Sequence, residues 1–139
     1  MIVVDTSIIV AYMNSTDDHH SRVSEWLDAA HDDLVTTPLV IAEVDHLVSA
    51  RGGPVAASAL RADLLAGAYL VEWWAGAMAT CVRVSAQYAD NGLGLTDASL
   101  VALAGQIATT DIATLDERHF RAVHPLTGGD AFRLLPRDC

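Results

Sequence analysis

Four carboxylates stand out among the acids of this chain because of where they fall. Asp5 directly follows a β-branched run, Ile2–Val4. Asp116 directly follows a second run of that kind, Ile112–Leu115. Asp97 comes just after Thr96, a residue type suited to cap a helix, so it belongs to that helix's first turn. Glu43 sits inside the apolar stretch Pro38-Leu39-Val40-Ile41-Ala42-Glu43-Val44, where a charge is costly unless something compensates for it. Each acid alone has an ordinary explanation. Asp5 can cap a helix, Asp97 can favour a helix dipole, Asp116 can hold a turn, and Glu43 can snorkel or pair with an arginine. Their common interest is that all four can reach one edge of one sheet.

Carboxylates gathered that closely repel one another by about 4 kcal/mol per pair at an effective dielectric near 20. Either some hold protons or a cation lies among them. An all-oxygen donor set suits Mg²⁺ or Mn²⁺ better than zinc. A hard divalent ion so held is equipment for phosphodiester cleavage, since it activates water, polarises the phosphoryl group and stabilises the leaving oxygen. It also allows a strongly acidic chain to accept a polyanion.

The elements that must position these acids alternate along the chain. Strands are predicted over Ile2–Val4, Leu34–Thr36, Ala68–Glu72 and Ile112–Leu115, with a weak last one over Phe132–Leu134. Helices are predicted over Thr6–Met13, His20–His31, Pro38 to about Arg51, Pro54–Ala66, Ala75–Ala89 and Thr96 to about Ile107, with Glu117–Ala122 a short helix or turn. Gly52-Gly53 separates the third helix from the fourth. Alternation of this kind implies a parallel sheet covered on both faces, with sites at the carboxyl ends of its strands. No linker, repeat or low-complexity segment divides residues 1–139, so one domain is expected.

Composition narrows the chemistry. The net charge is −10, which argues against nucleic-acid binding through a broad basic surface. The chain contains no lysine. That removes P-loop phosphate binding and Schiff-base catalysis. Two cysteines, Cys81 and Cys139, make no disulfide framework, so a reducing, cytoplasmic setting is expected. The N-terminus lacks the basic region of a signal peptide. The most apolar window, Leu64–Val82, carries Glu72 and is broken by Gly67 and Gly76, so no membrane association is expected.

Four segments together resemble the motifs of PIN-domain nucleases. They are Ile2-Val-Val-Asp5-Thr6-Ser7, Pro38-Leu-Val-Ile-Ala-Glu43, Gly94-Leu-Thr96-Asp97-Ala98 and Ile112-Ala-Thr-Leu-Asp116-Glu-Arg-His-Phe120. Their order, spacing and total length are similar to those of VapC-type toxins, the nuclease half of VapBC toxin–antitoxin pairs. The resemblance implies an α/β fold, a three-layer α/β/α sandwich around a short parallel sheet. It implies Mg²⁺- or Mn²⁺-dependent endonucleolytic cleavage of cellular RNA such as tRNA or rRNA, a homodimer, and a small antitoxin that occupies the active site. Carried over by motif, Asp5, Glu43, Asp97 and Asp116 are the metal ligands or their close support, Asp116 the least directly. Ser7 and Thr96 would orient carboxylates by hydrogen bonds.

Other residues carry weaker signals. Arg118 and Arg121 follow Asp116 and can reach substrate phosphates, although a solvated charged face explains them equally well. His46 lies three residues after Glu43 and can face the site, but a surface histidine is the commoner reading. His119 and His124 show no partners at ligand spacing. Trp73-Trp74 marks a strand end and reads as core or dimer interface. Two rival functions remain. A phosphatase using Asp5 as nucleophile would need a second Asp where Ser7 stands, and a basic residue that is usually lysine. A catalytically silent PIN-like binding module would not need all four acids.

Overall fold

The computed structural model describes residues 1–139. Ile2–Val4 forms β1, Leu34–Thr36 β2, Leu70–Val71 β3, Asp111–Ala113 β4 and Arg133–Leu135 β5. All pair in parallel in the order β3-β2-β1-β4-β5. β1 is central and every one of its residues is buried. That is why it reads as a continuous apolar run rather than an alternating one. Val3 lies opposite Val35 on one side and Ile112 on the other.

The helices are α1 (Thr6–Met13), α2 (His20–Ala29), α3 (Pro38–Leu65), α4 (Ala77–Gln87), α5 (Leu95–Gln106) and α6 (Glu117–Arg121). The chain steps outward from β1 to β2 and β3, then crosses back to β4 and β5. Right-handed crossovers therefore put α1–α3 on one face and α4–α6 on the other. The packing agrees, with α1 against α2 and α3, and α4 against α5. The three-layer α/β/α sandwich is thus the observed architecture. The middle of α5, Ala98–Ala104, is buried on all sides. With Phe120, Ile8, Leu60 and Ile112 it forms the core. No helix is long and apolar enough to cross a membrane.

Several boundaries differ from the sequence reading for local reasons. The two helices expected around Gly52-Gly53 run on as α3, broken at Gly53, whose φ of 70° and ψ of −164° are not helical. Thr96 does not cap α5. Gly94 holds the cap position and Thr96 lies inside the first turn, where its carbonyl accepts from Ser99 Oγ at 2.6 Å. β3 keeps only two of its five expected residues, although Glu72 N still donates to Thr36 O. β4 ends at Ala113 rather than Leu115 because Thr114 Oγ1 accepts from Asp116 N at 2.9 Å, a side-chain turn that bends the chain out of the ladder.

Candidate active site

The strand order reverses between β1 and β4. In an open parallel sheet, the carboxyl ends of two such strands diverge and leave a crevice. Asp5 and Asp116 lie at that crevice. Asp5 N donates to Ala113 O at 2.9 Å, so the β1 ladder delivers the carboxylate beside the end of β4. A cleft of about 370 Å³ opens there, lined by Asp5, Thr6, Ser7, Glu43, Asp97, Asp116 and His119, with Val10, Leu47 and Arg51 beyond them. The four acids predicted from their positions therefore share one cavity, although they come from four separate stretches of chain.

Asp5 is the most deeply set, at 5% exposure. Its Oδ2 accepts from Thr114 Oγ1 at 2.7 Å and from Ser7 Oγ at 2.9 Å. Ser7 Oγ in turn accepts from Leu115 N at 2.9 Å. This network clamps the ends of β1 and β4 together around one carboxylate oxygen, leaving Oδ1 without a side-chain partner. Burial pushes the Asp5 carboxyl above its ordinary range. The hydrogen bonds from Thr114, Ser7 and the Thr6 backbone oppose that shift, and Asp116 adds to it. Thr6 Oγ1 is buried beside it with no hydrogen-bond partner.

Asp97, in the first turn of α5, is also pushed up, by burial first and then by the charge of Asp5. A hydrogen bond from His119 works in the other direction. His119 Nδ1 lies 2.8 Å from Asp97 Oδ2 and 3.2 Å from Asp116 Oδ2. The two carboxylate oxygens are no farther apart than those contacts laid end to end, about 6 Å. His119 thus holds α5 to the start of α6. Glu43 reaches the cleft from α3 and is exposed, so it escapes the burial cost expected of a charge in an apolar stretch.

The donor set fits a hard divalent cation. Carboxylate oxygens dominate, two of the carboxyls are held up by burial and by neighbouring carboxylates, and Thr6 offers an unused buried hydroxyl. The side chains line the cleft without closing into a ready-made ligand cage.

Other candidates fall differently. Ser7 orients Asp5, as expected. Thr96 makes no side-chain hydrogen bond to a carboxylate; it lies inside the first turn of α5, and only its backbone carbonyl is engaged, by Ser99 Oγ. Thr114 holds the position expected of Thr96, and nothing but its place two residues before Asp116 pointed to it. His119 was passed over, although it lies three residues after Asp116 on a helical turn, within side-chain reach. Arg121 is engaged elsewhere, donating to both oxygens of Asp138 at 2.8 and 2.6 Å, which helps hold Asp138 down to about 2. Arg118 is exposed and does not line the cleft. His46 is exposed and also lies outside it. Trp73 and Trp74 pack with ring centroids 5.8 Å apart and planes tilted by 50°, just after β3, and neither lines the cleft.

Residues 2–124 match the PIN domain family. Ribonuclease VapC26 of Mycobacterium tuberculosis (strain ATCC 25618 / H37Rv) is 38% identical over 136 residues, 97% of this chain and 100% of the relative. Among solved structures, the sarcin-ricin loop cleaving toxin VapC20 of Mycobacterium tuberculosis superposes with a TM-score of 0.75 at 23% identity, covering 81% of this chain and 87% of the other. FitAcB from Neisseria gonorrhoeae gives 0.63 at 23% identity, covering 86% and 91%. These two share the fold.

Proposed function

The chain belongs to the PIN-domain family, in its VapC-type branch, and from that premise we propose that it is a magnesium-dependent endoribonuclease. In this reading it acts as the toxin of a type II toxin–antitoxin pair and cuts tRNA or rRNA in the cytoplasm. The observation that carries the reading is the convergence of Asp5, Glu43, Asp97 and Asp116 in one cleft at the β1/β4 crevice. The relative bearing the name ribonuclease supports the reaction class. Residues 1–139 act as one domain. A homodimer and a small antitoxin occupying the cleft complete the proposal.

The geometry supports the following roles. Asp5 and Asp97 hold the cation most directly, with Glu43 and Asp116 completing its surroundings. Mg²⁺, or Mn²⁺ in its place, supplies Lewis-acid activation of water and of the phosphoryl group when bound. Ser7 and Thr114 fix the Asp5 carboxylate through Oδ2, leaving Oδ1 without a side-chain partner. His119 keeps Asp97 and Asp116 within about 6 Å of each other.

The test is cleavage of purified tRNA and rRNA by the wild type and by Asp5→Asn, with Mg²⁺ and with EDTA. Cleavage only by wild type with Mg²⁺ is expected. Undiminished cutting by the variant or in EDTA contradicts the reading. A silent binding module would bind RNA but show no Mn²⁺ site dependent on Asp5.

A further inference from the structure

Glu43, Leu47 and Arg51 stand at intervals of four on α3, which puts them in one row along the helix. All three line the carboxylate cleft. The row ends where the helix breaks. Gly53 takes a left-handed φ of 70°, and a Cβ on Gly52 would lie 2.6 Å from Ala56 Cβ. The missing side chain lets the second half of α3 close against the first. Val10, Leu47, Arg51, Gly52 and Ala56 then wall a groove of about 230 Å³ that shares Val10, Leu47 and Arg51 with the cleft. Arg51 therefore stands at the doorway between the acids and the groove.

Its charge is uncommitted. Arg61, Arg121, Arg133 and Arg137 are ion-paired with Asp45, Asp138, Asp111 and Glu117. Arg51 makes no ion pair or hydrogen bond, and it is the sole arginine lining the cleft. A chain of net charge −10 without lysine has few ways to hold a polyanion at an acidic site. An exposed guanidinium beside four carboxylates, bonded to none of them, is free to fork onto an incoming phosphate.

We propose that Arg51 binds a backbone phosphate next to the scissile one, so that the RNA strand runs from the carboxylate cleft past Arg51 toward the groove. This inference rests on the nuclease reading. It replaces Arg121, which Asp138 occupies, as the contact to substrate phosphate.

The experiment compares wild type, Arg51→Ala, Arg51→Lys and Arg118→Ala, with Asp5→Asn alongside. Affinity for a fluorescein-labelled, unpaired 12-nucleotide RNA is measured by anisotropy in Ca²⁺ at several salt concentrations. Cleavage in Mg²⁺ is followed in parallel, and Mn²⁺ affinity is measured without RNA. For Arg51→Ala the expected result is a roughly tenfold rise in Kd and KM, with kcat changed far less. The slope of log affinity against log salt should fall by about 0.7, one phosphate of a single strand. Arg51→Lys should recover part of the loss, Arg118→Ala should lose little, and Mn²⁺ affinity should not weaken in Arg51→Ala. Unchanged RNA affinity and salt slope in Arg51→Ala overturn the inference and leave Arg51 to an acidic group of a protein partner. A loss of Mn²⁺ affinity also overturns it, since Arg51 would then be ordering the acids. If the wild type itself does not cut RNA with Mg²⁺, the nuclease reading fails. The RNA affinities of wild type and Arg51→Ala still decide the phosphate contact.

Discussion

Asp5→Asn should make the metal-free protein more stable while removing its response to metal. Asp5 is buried, and its carboxyl is pushed above the ordinary 3.8 by that burial, with repulsion from Asp116 added. Burial is the larger penalty, and repulsion from a nearby like charge at an effective dielectric near 20 adds on the order of 2 kcal/mol. The asparagine carbonyl can still accept from Ser7 and Thr114, losing roughly 1–2 kcal/mol of charge assistance over the two bonds. Removing the buried charge and its repulsion outweighs this, for a net gain of about 1–3 kcal/mol at neutral pH. In a chain of this size that raises Tm by roughly 4–10 °C. The sign of the pH dependence is fixed. An acid whose folded pKa is raised destabilises the fold above that pKa, and the penalty fades as pH falls. Below 3.8 the group is neutral in folded and unfolded chains alike, and the difference between variant and wild type should vanish. The assay is thermal unfolding in EDTA from pH 3 to 8, repeated at neutral pH with Mn²⁺. Saturating Mn²⁺ should raise the wild-type Tm, by about 2.7 kcal/mol of stability at a hundred times Kd, and leave the variant unmoved. A variant less stable than wild type at neutral pH, or a gap independent of pH, would refute the reasoning.

Three further outcomes follow from the same contacts. Thr114→Val removes the 2.7 Å bond to the buried Asp5 carboxylate and the turn that presents Asp116, so it should cost about 1.5–3 kcal/mol by denaturant unfolding and weaken Mn²⁺ binding. His119→Ala leaves Asp97 and Asp116 unbridged and should lower stability by about 1 kcal/mol in EDTA, a loss that Mn²⁺ should restore in the same melting experiment. Arg121→Ala breaks an exposed pair with Asp138, so stability should fall by no more than about 1 kcal/mol and the KM for RNA should stay at the wild-type value.

Much of the fold and the four acids that line the candidate site were legible because each was announced by a strong local signal. Ile2–Val4 is too apolar for anything but a central strand, and the residue that follows it must emerge at the sheet's carboxyl edge. The α/β alternation then brings Asp116 to the same edge. Glu43 is an acid in an apolar helix. What escaped depends on contacts between elements or on small shifts of register. Thr96 looks like a cap, but Gly94 holds that position and the helix, starting at Leu95, carries Thr96 into its first turn. Thr114 then does the orienting, because β4 ends two residues early. His119 finds its partners on α5 and on its own helical turn, and only the first contact is invisible in the local sequence. Arg121 looked available until the chain's last residues returned Asp138 to it. Arg51 was the opposite case. Its position eight residues after Glu43 already puts it on the same row of α3, but only the break at Gly53 and the groove beyond it give that row a phosphate-facing end.

The central claim is that these carboxylates share one divalent cation. It is tested most directly by an anomalous difference map from a crystal grown with Mn²⁺. The account predicts a peak in the β1/β4 crevice, with Asp5 and Asp97 oxygens at about 2.0–2.3 Å, and no such peak in Asp5→Asn. A saturating Mn²⁺ soak that leaves the crevice empty, or a peak bound elsewhere on the surface, would contradict it.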